Sequence, residues 1–453
     1  MTKICAVAVT PEDGISAAKR GAEVIEFRLD LFPSVPDDFS FFRQTSPSGE
    51  IIPTIATFRG CLDAEMYERA FEAGAAYADI EGCSPLRDEF PEKIICSVHD
   101  FDAAPSSDVI VEQMRDLSES GIPKGAFAVR GISDLLSIAD AAAELRKTGK
   151  PFILIGMGNA GRVTRVRADT LGSWLNYVSN GVSAAPGELL LADALSLGKH
   201  PAVTGLLGCR EAVLRSRSPQ IHAAAFRSAG IPGIYLPFAA ETADMALVPR
   251  LMKAYDIDGL NVTMPHKETV IPHLSALDDS AEKTGAVNTI SKDLTGFNTD
   301  IAGVEALFSG FSVKGKSVLI LGAGGAARAA SVYLKDAGAV ISILNRTYEK
   351  AEALAAFCGG KAVSSAGPAP DYDAALLASP VSPVPPEAVL RKGMFAADMN
   401  YLHSAFLDSA KEIGCRTVSG KTMLTAQAAR SFQIWMKTAA DSSAMNDAFG
   451  DES

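Results

Sequence analysis

The sequence predicts an α/β protein in which a closed (β/α)8 barrel is followed by a two-lobed unit ending in a nucleotide-binding lobe. Three observations carry this. Eight short β-rich runs alternate with helical text over roughly the first 200 residues, the pattern of parallel strands joined by helices. The same alternation restarts at Ala202. A cluster of glycines follows the run Val318–Leu321 at once and opens a helical stretch, the setting in which backbone N–H groups reach a pyrophosphate.

The eight runs are Ile4–Val9, Val24–Leu29, Ile51–Phe58, Ala76–Ile80, Lys93–Val98, Lys124–Val129, Pro151–Gly156 and a weaker one near Gly181–Ala184. So many units in so short a length fit a small closed barrel better than an open sheet. Glu26, Arg28 and Asp30 alternate along the second run, so all three should face the barrel interior. Arg59 follows the third run, Glu81 ends the fourth, and His99 with Asp100 ends the fifth. Lys124 opens the sixth. A lone Lys at a strand start is usually a solvated end. Here, however, it would lie beside Glu26, Arg28 and Arg59, and in a cationic, partly dry pocket a Lys pKa falls and it becomes a nucleophile toward ketones. His99 on the neighbouring strand can then move protons near neutral pH.

Bulk composition narrows the function classes. The 453 residues exceed one ordinary domain, and 47% hydrophobic against 21% charged residues allow real cores. A formal charge of −12 argues against nucleic-acid or anionic-membrane partners. An anionic substrate must therefore be captured by local Arg or Lys. No apolar run reaches membrane-spanning length, and the chain opens directly in a strand-like run. Seven cysteines without a CxxC pair read as buried residues of a reducing compartment. The expectation is a cytoplasmic enzyme without a metal site or a targeting segment.

EFRLD, TFR, IICSVHDFD and GIPKGAF, with GRVTR and AAPGEL further on, resemble the type I 3-dehydroquinate dehydratases. That resemblance implies a (β/α)8 barrel in which Lys124 forms an imine with the substrate ketone and His99 transfers protons. It also implies that Arg165 binds the carboxylate, with Glu26, Arg28 and Arg59 facing hydroxyls and carboxylate. The sequence departs from that family at Asp63, where Glu is usual, at Val98, where an aromatic residue is common, and at Glu188, where Gln is common.

After a short link, Leu197–Val203, the second half carries polar clusters at strand exits: Asn261–Thr263 with Lys267, Asn288–Thr289, and Asn298–Asp300. Strand exits of an α/β sheet form its binding crevice. Lys267 and Asp300 are the pair able to move a proton there. Ser216 and Ser218 stand just before Pro219, where they either cap a helix or hold a carboxylate. The strand after the glycine turn ends in Asn345-Arg346-Thr347, and an Arg with neutral donors there suits a 2′-phosphate, favouring NADP over NAD.

SRSP, GLNVTMPHK, GAVNT, GFNTD, GAGGAARA, NRT and LTAQAARSF together look like shikimate dehydrogenase. The resemblance implies a two-lobed fold with a C-terminal Rossmann-like NADP lobe. Ser216 and Ser218 match carboxylate-holding serines, and Thr263, Asn288, Tyr401 and Gln427 match further substrate contacts. Lys267 and Asp300 match the catalytic dyad. Gly322, Gly324, Gly325, Ala326, Asn345, Arg346, Thr347 and Lys350 match the NADP site. LLASPVSPVP replaces the family's customary cofactor loop after Leu376.

The implied division is a barrel over 1–198 and a dehydrogenase over 203–440. Within the latter, 203–303 with 420–440 form the substrate lobe and 304–419 the NADP lobe. The polar, acidic segment 441–453 is expected to be disordered. The two resemblances point to successive reactions, from 3-dehydroquinate through 3-dehydroshikimate to shikimate. A ligand-binding regulator that has kept these folds, a dehydrogenase with an impaired barrel, and quinate as the redox substrate are the other readings.

Overall fold

Parallel strands covered on both faces read as continuous apolar runs, and the first part of the chain is written that way. The computed structural model describes residues 2–34, 36–60, 63–90, 93–181, 185–364, 371–401 and 403–449. Among them the first eight long strands are β1 Lys3–Ala8, β2 Val24–Arg28, β3 Thr54–Thr57, β4 Tyr77–Glu81, β5 Ile94–Asp100, β6 Ile122–Ala128, β7 Ile153–Met157 and β8 Leu175–Ser179. They are hydrogen-bonded in the order β8-β1-β2-β3-β4-β5-β6-β7, all in parallel. The two ends of that row approach each other, with the Trp174 N–H donating to the Phe152 carbonyl at 2.7 Å. The sheet thereby curls into the expected (β/α)8 barrel.

Local chemistry fixes the connections. The first helix, Pro11–Arg20, begins with Thr10 accepting from the Asp13 N–H and with Pro at its first position. It ends on Gly21 at φ 99°, a left-handed cap that glycine adopts without strain. Inward residues alternate along each strand. Val24, Ile55, Ile95, Ile153 and Leu175 form an apolar floor, and the same-facing positions nearer the carboxyl ends are Glu26, Thr57, Asp79, Ser97, Lys124 and Tyr177.

Two expectations for this region change. The eighth strand is Leu175–Ser179, earlier than the weak run near Gly181–Ala184, of which residues 182–184 lie outside the described residues. Asp30 is not on β2, which ends at Arg28. A 3-10 turn, Leu29–Leu31, follows, closed by the Phe32 N–H on the Leu29 carbonyl.

Backbone contacts divide the chain into two compact units, Met1–Gly205 with Pro232–Ile257, and Leu206–Ile231 with Asp258–Ser453. The boundary falls inside strand β9, Ala202–Gly208. The segment 232–257, which carries strand β10, Gly233–Ala239, is tied to the barrel by buried groups. Tyr255 Oη donates to the Leu135 carbonyl at 2.6 Å, and Arg167 donates to the Tyr255 and Asp256 carbonyls at 2.9 and 2.8 Å.

In the second unit β11 Gly259–Val262, β12 Ala276–Leu277, β13 Thr289–Ser291 and β14 Thr295–Phe297 form a small mixed sheet. β11 pairs antiparallel with β13, β13 antiparallel with β14, and β14 parallel with β12. The chain then builds a six-stranded parallel sheet from β15 Ser317–Leu321, β16 Val340–Leu344, β17 Lys361–Ala362, β18 Ala374–Leu377, β19 Phe395–Asp398 and β20 Arg416–Val418. Its order is β17-β16-β15-β18-β19-β20. The order reverses between β15 and β18, and in open α/β sheets ligands bind in the crevice at such a switch point. Separate apolar clusters cover its two faces, one around Val318, Ile320 and Phe395, the other around Leu319, Leu321 and Phe406.

The tail is not uniformly irregular. Ser442–Asp447 is a helix capped by Asp441, and its Met445 is fully buried. The apolar contact made by that methionine accounts for order in a segment whose composition argues against it. Residues 450–453 lie outside the described residues. Among the described residues no helix is long and apolar enough to cross a membrane.

Candidate active sites

A cavity of about 110 Å³ opens at the carboxyl ends of the barrel strands, lined by Glu26, Arg28, Arg59, His99, Lys124, Arg165 and others. All the polar barrel residues singled out in the sequence for substrate or proton work therefore meet at one place. Lys124 is 4% exposed and lies inside β6 rather than at its solvated start. Its Nζ donates to Asp79 Oδ2 at 2.5 Å, stands 3.8 Å from Glu26 Oε1, and sits over the Tyr177 ring at 4.0 Å from the centroid.

The surroundings of Lys124 are thus anionic, not cationic as expected. Arg28 is turned to Asp30, which it grips with two bonds of 2.9 and 2.7 Å. Burial alone pushes the Asp79 carboxyl up, but Lys124, Arg59 and His99 outweigh it and hold Asp79 below the usual carboxylate range. Ser97 Oγ donates to the other Asp79 oxygen at 2.5 Å. Asp79 is therefore an ionised, doubly bonded partner held against the Lys124 nitrogen. Sequence reasoning passed over it, although Asp79 and Glu81 alternate in YADIE just as Glu26 and Arg28 do in VIEFR.

His99 lies two residues beyond Ser97, the register partner of Lys124, and so faces the same way. Its Nδ1 is 3.2 Å from both Glu81 oxygens, and its Nε2 is 2.8 Å from Arg59 Nη2. The consistent tautomer has Nδ1–H donating to Glu81 and the Nε2 lone pair accepting from Arg59. Burial lowers the His99 pKa; the Glu81 bond opposes this, and the Lys124 and Arg59 charges reinforce it. His99 is a neutral base at pH 7.

Arg165 is buried, and its Nη1 donates to the Tyr177 carbonyl at 3.0 Å. Its Nε has no hydrogen-bond partner among the described residues. Burial pushes Arg165 down to about 10, and the Glu188 carboxylate counters that shift, so the side chain stays charged at neutral pH. An unmet buried donor costs about 1–3 kcal/mol, which an incoming carboxylate oxygen would recover. Of the family departures, Asp63 caps the helix Ala64–Ala73 by accepting from the Glu65 N–H at 3.0 Å. Glu188 lines the cavity on the side of Arg165.

The second unit holds a cavity of about 500 Å³ lined by Ser216, Ser218, Thr263, Lys267, Asn288, Asp300, Tyr401, Gln427 and apolar neighbours. Lys267 Nζ donates to Asp300 Oδ2 at 2.5 Å, and Asn288 Nδ2 donates to Oδ1 at 2.8 Å. Asp300 begins the helix Asp300–Phe308, where the macrodipole favours its charge. Behind the pair, Asn288 Oδ1 accepts from the Thr299 N–H at 2.7 Å and from Thr289 Oγ1 at 3.0 Å. Those two bonds fix which end of the amide meets Asp300. Ser218 heads the helix Ser218–Ala229, and its N–H donates to Ser216 Oγ at 3.1 Å. Gln427 comes from the long helix Gly420–Met436.

The glycine turn fits a dinucleotide. A Cβ at Gly322 would stand 2.9 Å from the Ala378 carbonyl, whereas Gly324 and Gly325 face open space. The helix Gly325–Asp336 starts with no side chain capping its N–H groups, so those donors are available to phosphate oxygens. Ala326 lies in its first turn. Asn345, Arg346, Thr347 and Lys350 follow the end of β16 at the same edge of the sheet, and Arg346 and Lys350 are exposed. The loop after Leu377 borders a further cavity of about 810 Å³ with Pro380, Pro383, Asn400 and Tyr401, and Asn400 Nδ2 holds the loop through the Ser379 carbonyl at 2.9 Å.

Family models match along the chain. A type I 3-dehydroquinase model covers residues 11–199, a shikimate dehydrogenase substrate-binding model 210–290, and a shikimate/quinate 5-dehydrogenase model 303–378. A shikimate dehydrogenase (NADP(+)) of Moorella thermoacetica is 38% identical over 262 residues, 52% of this chain and 88% of that protein. The chain belongs to the shikimate dehydrogenase family. To this its first half adds a type I 3-dehydroquinase domain. The shikimate 5-dehydrogenase of Thermus thermophilus solved with shikimate superposes with a TM-score of 0.51 at 34% identity, over 55% of this chain and 97% of that one. The chloroplastic bifunctional 3-dehydroquinate dehydratase/shikimate dehydrogenase of Arabidopsis thaliana is 29% identical over 490 residues, 92% of this chain and 78% of that protein. The combination of both enzyme domains in one chain thus recurs in that relative.

Proposed function

We propose that the chain is a bifunctional shikimate-pathway enzyme, dehydrating 3-dehydroquinate to 3-dehydroshikimate in the barrel and reducing that product to shikimate with NADPH in the second unit. The observation that carries this reading is a matched pair. Each of two separate cavities is lined by one Lys whose nitrogen stands 2.5 Å from an Asp, with polar groups for a hydroxylated carboxylic acid around it.

In the barrel, Arg165 with its unmet donor takes the substrate carboxylate, and Glu26, Arg28 and Arg59 meet hydroxyl and carboxylate oxygens. Lys124 must give up a proton before its lone pair can attack the ketone carbon; His99, neutral on the adjoining strand, is the acceptor. The imidazolium returns that proton to the hydroxyl of the adduct, which leaves as water, so the nitrogen is left as a protonated imine and His99 is neutral again. His99 removes the proton from the adjacent carbon, and the C–H electron pair moves toward the imine nitrogen. The neighbouring C–O bond then breaks as the imidazolium returns that proton to the departing hydroxyl, releasing water. Hydrolysis of the imine frees the enone and restores Lys124. Arg59 donates to Nε2 in the structure, so it shields the base until a bound anion draws the guanidinium away.

In the second unit, Ser216 and Ser218 hold the carboxylate, and Thr263, Asn288, Tyr401 and Gln427 bind the ring hydroxyls. Lys267 donates a proton to the ketone oxygen as it becomes an alkoxide, and Asp300, oriented by Asn288, holds Lys267 in place. NADPH, when bound, supplies the hydride. Gly322, Gly324, Gly325 and Ala326 would receive its pyrophosphate, and Asn345, Arg346, Thr347 and Lys350 its 2′-phosphate. A reducing cytoplasmic setting is supported by the six described cysteines, all of them free.

The test is a coupled assay with 3-dehydroquinate and NADPH on wild type, Lys124→Ala and Lys267→Ala. The first variant should stop enone formation while still reducing supplied 3-dehydroshikimate. The second should accumulate enone without consuming NADPH. Wild-type protein giving neither enone absorbance nor NADPH oxidation would sink the reading, and quinate in place of shikimate in the reverse assay decides between those two redox substrates.

A further inference from the structure

Tyr177 was not singled out by any motif, yet it lies 3% exposed at the heart of the barrel cavity. The flat face of its ring supports the Lys124 ammonium at 4.0 Å from the centroid, within the reach of a cation–π contact. Its hydroxyl is buried and has no hydrogen-bond partner among the described residues. A tyrosine that only filled space would serve equally as phenylalanine, without the cost of an unmet buried hydroxyl. The two halves of the side chain therefore point to two jobs.

Resting on the reading of the barrel as an imine-forming dehydratase, we infer that Tyr177 is a further positioning residue of that reaction. Its ring face holds the nitrogen of Lys124 while that nitrogen is positive, first as ammonium and later as protonated imine, and its hydroxyl donates to an oxygen of the bound ring substrate. The imine nitrogen occupies the place of the amine nitrogen, so the ring stabilises the electron sink of the proton-removal step through the contact it already makes. The other charged or titratable groups around Lys124 and its cavity are Cys5 from β1, Glu26 and Arg28 from β2, Arg59 after β3, Asp79 from β4, His99 from β5, Arg165 after β7 and Glu188 after β8. Asp79 and Glu26 favour the positive nitrogen and Arg59 disfavours it. Tyr177 adds a neutral contribution of the same sign as the carboxylates. Burial, with Glu26, Cys5 and Asp79 adding to it, raises its phenol, so it remains a donor through the working range.

The experiment uses the full chain in three forms: wild type, Tyr177→Phe and Tyr177→Met. Borohydride trapping with 3-dehydroquinate is followed against pH by intact mass, and kcat and KM for enone formation are measured alongside. Near-UV circular dichroism and shikimate-dependent NADP+ reduction report that each variant is folded. Tyr177→Phe keeps the ring and should leave the pH midpoint of trapping in place while kcat/KM falls about tenfold. Tyr177→Met removes the ring at similar volume. Its trapping midpoint should move about one pH unit lower, because the amine loses a group favouring its charged form, and its kcat should fall further than that of Tyr177→Phe. An unshifted midpoint in Tyr177→Met, or wild-type kcat/KM in Tyr177→Phe, overturns the assignment. Failure of wild type to trap any adduct would instead overturn the imine reading beneath it.

Discussion

Asn288 donates its side-chain amide to Asp300 Oδ1 at 2.8 Å, the oxygen that Lys267 leaves unused. The amide cannot be reversed at little cost, because its oxygen already accepts from the Thr299 N–H and from Thr289 Oγ1. The carboxylate plane is thereby fixed, and with it the direction in which Lys267 presents its proton. A hydrogen bond to a charged group is worth about 1.5–3 kcal/mol. Asn288→Ala should accordingly lower kcat for shikimate oxidation by roughly 10- to 100-fold. Asn288→Asp should be worse and pH-dependent, since two facing carboxylates cannot both stay ionised. Unchanged kcat in both variants would remove Asn288 from the machinery.

The dehydratase should have its acid limb below the ordinary His value of about 6.5. In the proposed mechanism His99 works as a neutral base, and burial together with Lys124 and Arg59 lowers its pKa. Activity therefore rises with pH through a midpoint on the acid side of 6.5. Arg59→Gln removes one cation that disfavours imidazolium, so the midpoint should move upward, toward neutrality. A kcat/KM profile of enone formation from pH 4.5 to 8 on both proteins checks this. A downward movement in the variant contradicts the assignment of the limb to His99.

Asp79→Asn should weaken the barrel and flatten its acid sensitivity. Lys124 and Asp79 have only 4% and 2% of their side chains exposed, and removing one partner of such a pair costs about 3–5 kcal/mol. Glu26 at 3.8 Å keeps the loss toward the lower figure. The folded Asp79 carboxyl lies below its unfolded value of about 3.9, so the stability it contributes is present above that pH and is lost as pH falls below it. Urea unfolding at pH 7 and pH 3.5 should show a gap between wild type and variant that narrows at the lower pH. A gap that widens would contradict the ionised state given to Asp79.

How far the sequence can be read depends on whether a feature is local. The alternation of Glu26 and Arg28 declares an inward face within one strand, and both side chains do face the cavity. The same alternation continues through Asp30, but a single backbone bond, Phe32 N–H to the Leu29 carbonyl, turns the chain before that residue. Residue types do not announce such a bond. Asp79 is a harder case. It carries no motif, and its importance arises only when barrel closure brings it to Lys124, 45 positions away. The cationic pocket expected for Lys124 failed because strand alternation shows which residues face inward but not what each then pairs with: Arg28 faces inward and turns to Asp30, while Asp79 reaches Lys124. The Lys267–Asp300 pair was legible because both residues follow short strands of one small sheet, β11 and β14, which flank β13.

In the proposed reading, cofactor choice rests on an exposed cation after β16. Arg346 follows the strand that ends at Leu344, with Asn345 shaping the turn through a 2.9 Å bond to the Thr347 carbonyl. A guanidinium there pairs with a 2′-phosphate and has nothing to pair with on a 2′-hydroxyl. Arg346→Ala should raise KM for NADPH about tenfold while leaving KM for NADH within twofold. Equal changes for both cofactors would mean that the residue shapes the loop and does not read the phosphate.

The last helix, Ser442–Asp447, belongs to the dehydrogenase fold. Met445 is fully buried, and the helix packs on Ser218–Ala229 and Gly420–Met436, the elements that carry Ser218 and Gln427. Asn446 Oδ1 also accepts from Thr425 Oγ1 at 2.6 Å on the longer helix. Replacing a buried Met by Ala costs about 2–5 kcal/mol, so Met445→Ala should lower the melting temperature of the transition that abolishes shikimate oxidation. Ending the chain at Ala440 should do the same and also raise KM for shikimate severalfold, because the helices that carry Ser218 and Gln427 lose a shared support. The barrel, with its own core, should keep its imine-trapping activity at temperatures where the truncated dehydrogenase has melted. Loss of both activities together would show instead that the tail supports the whole chain.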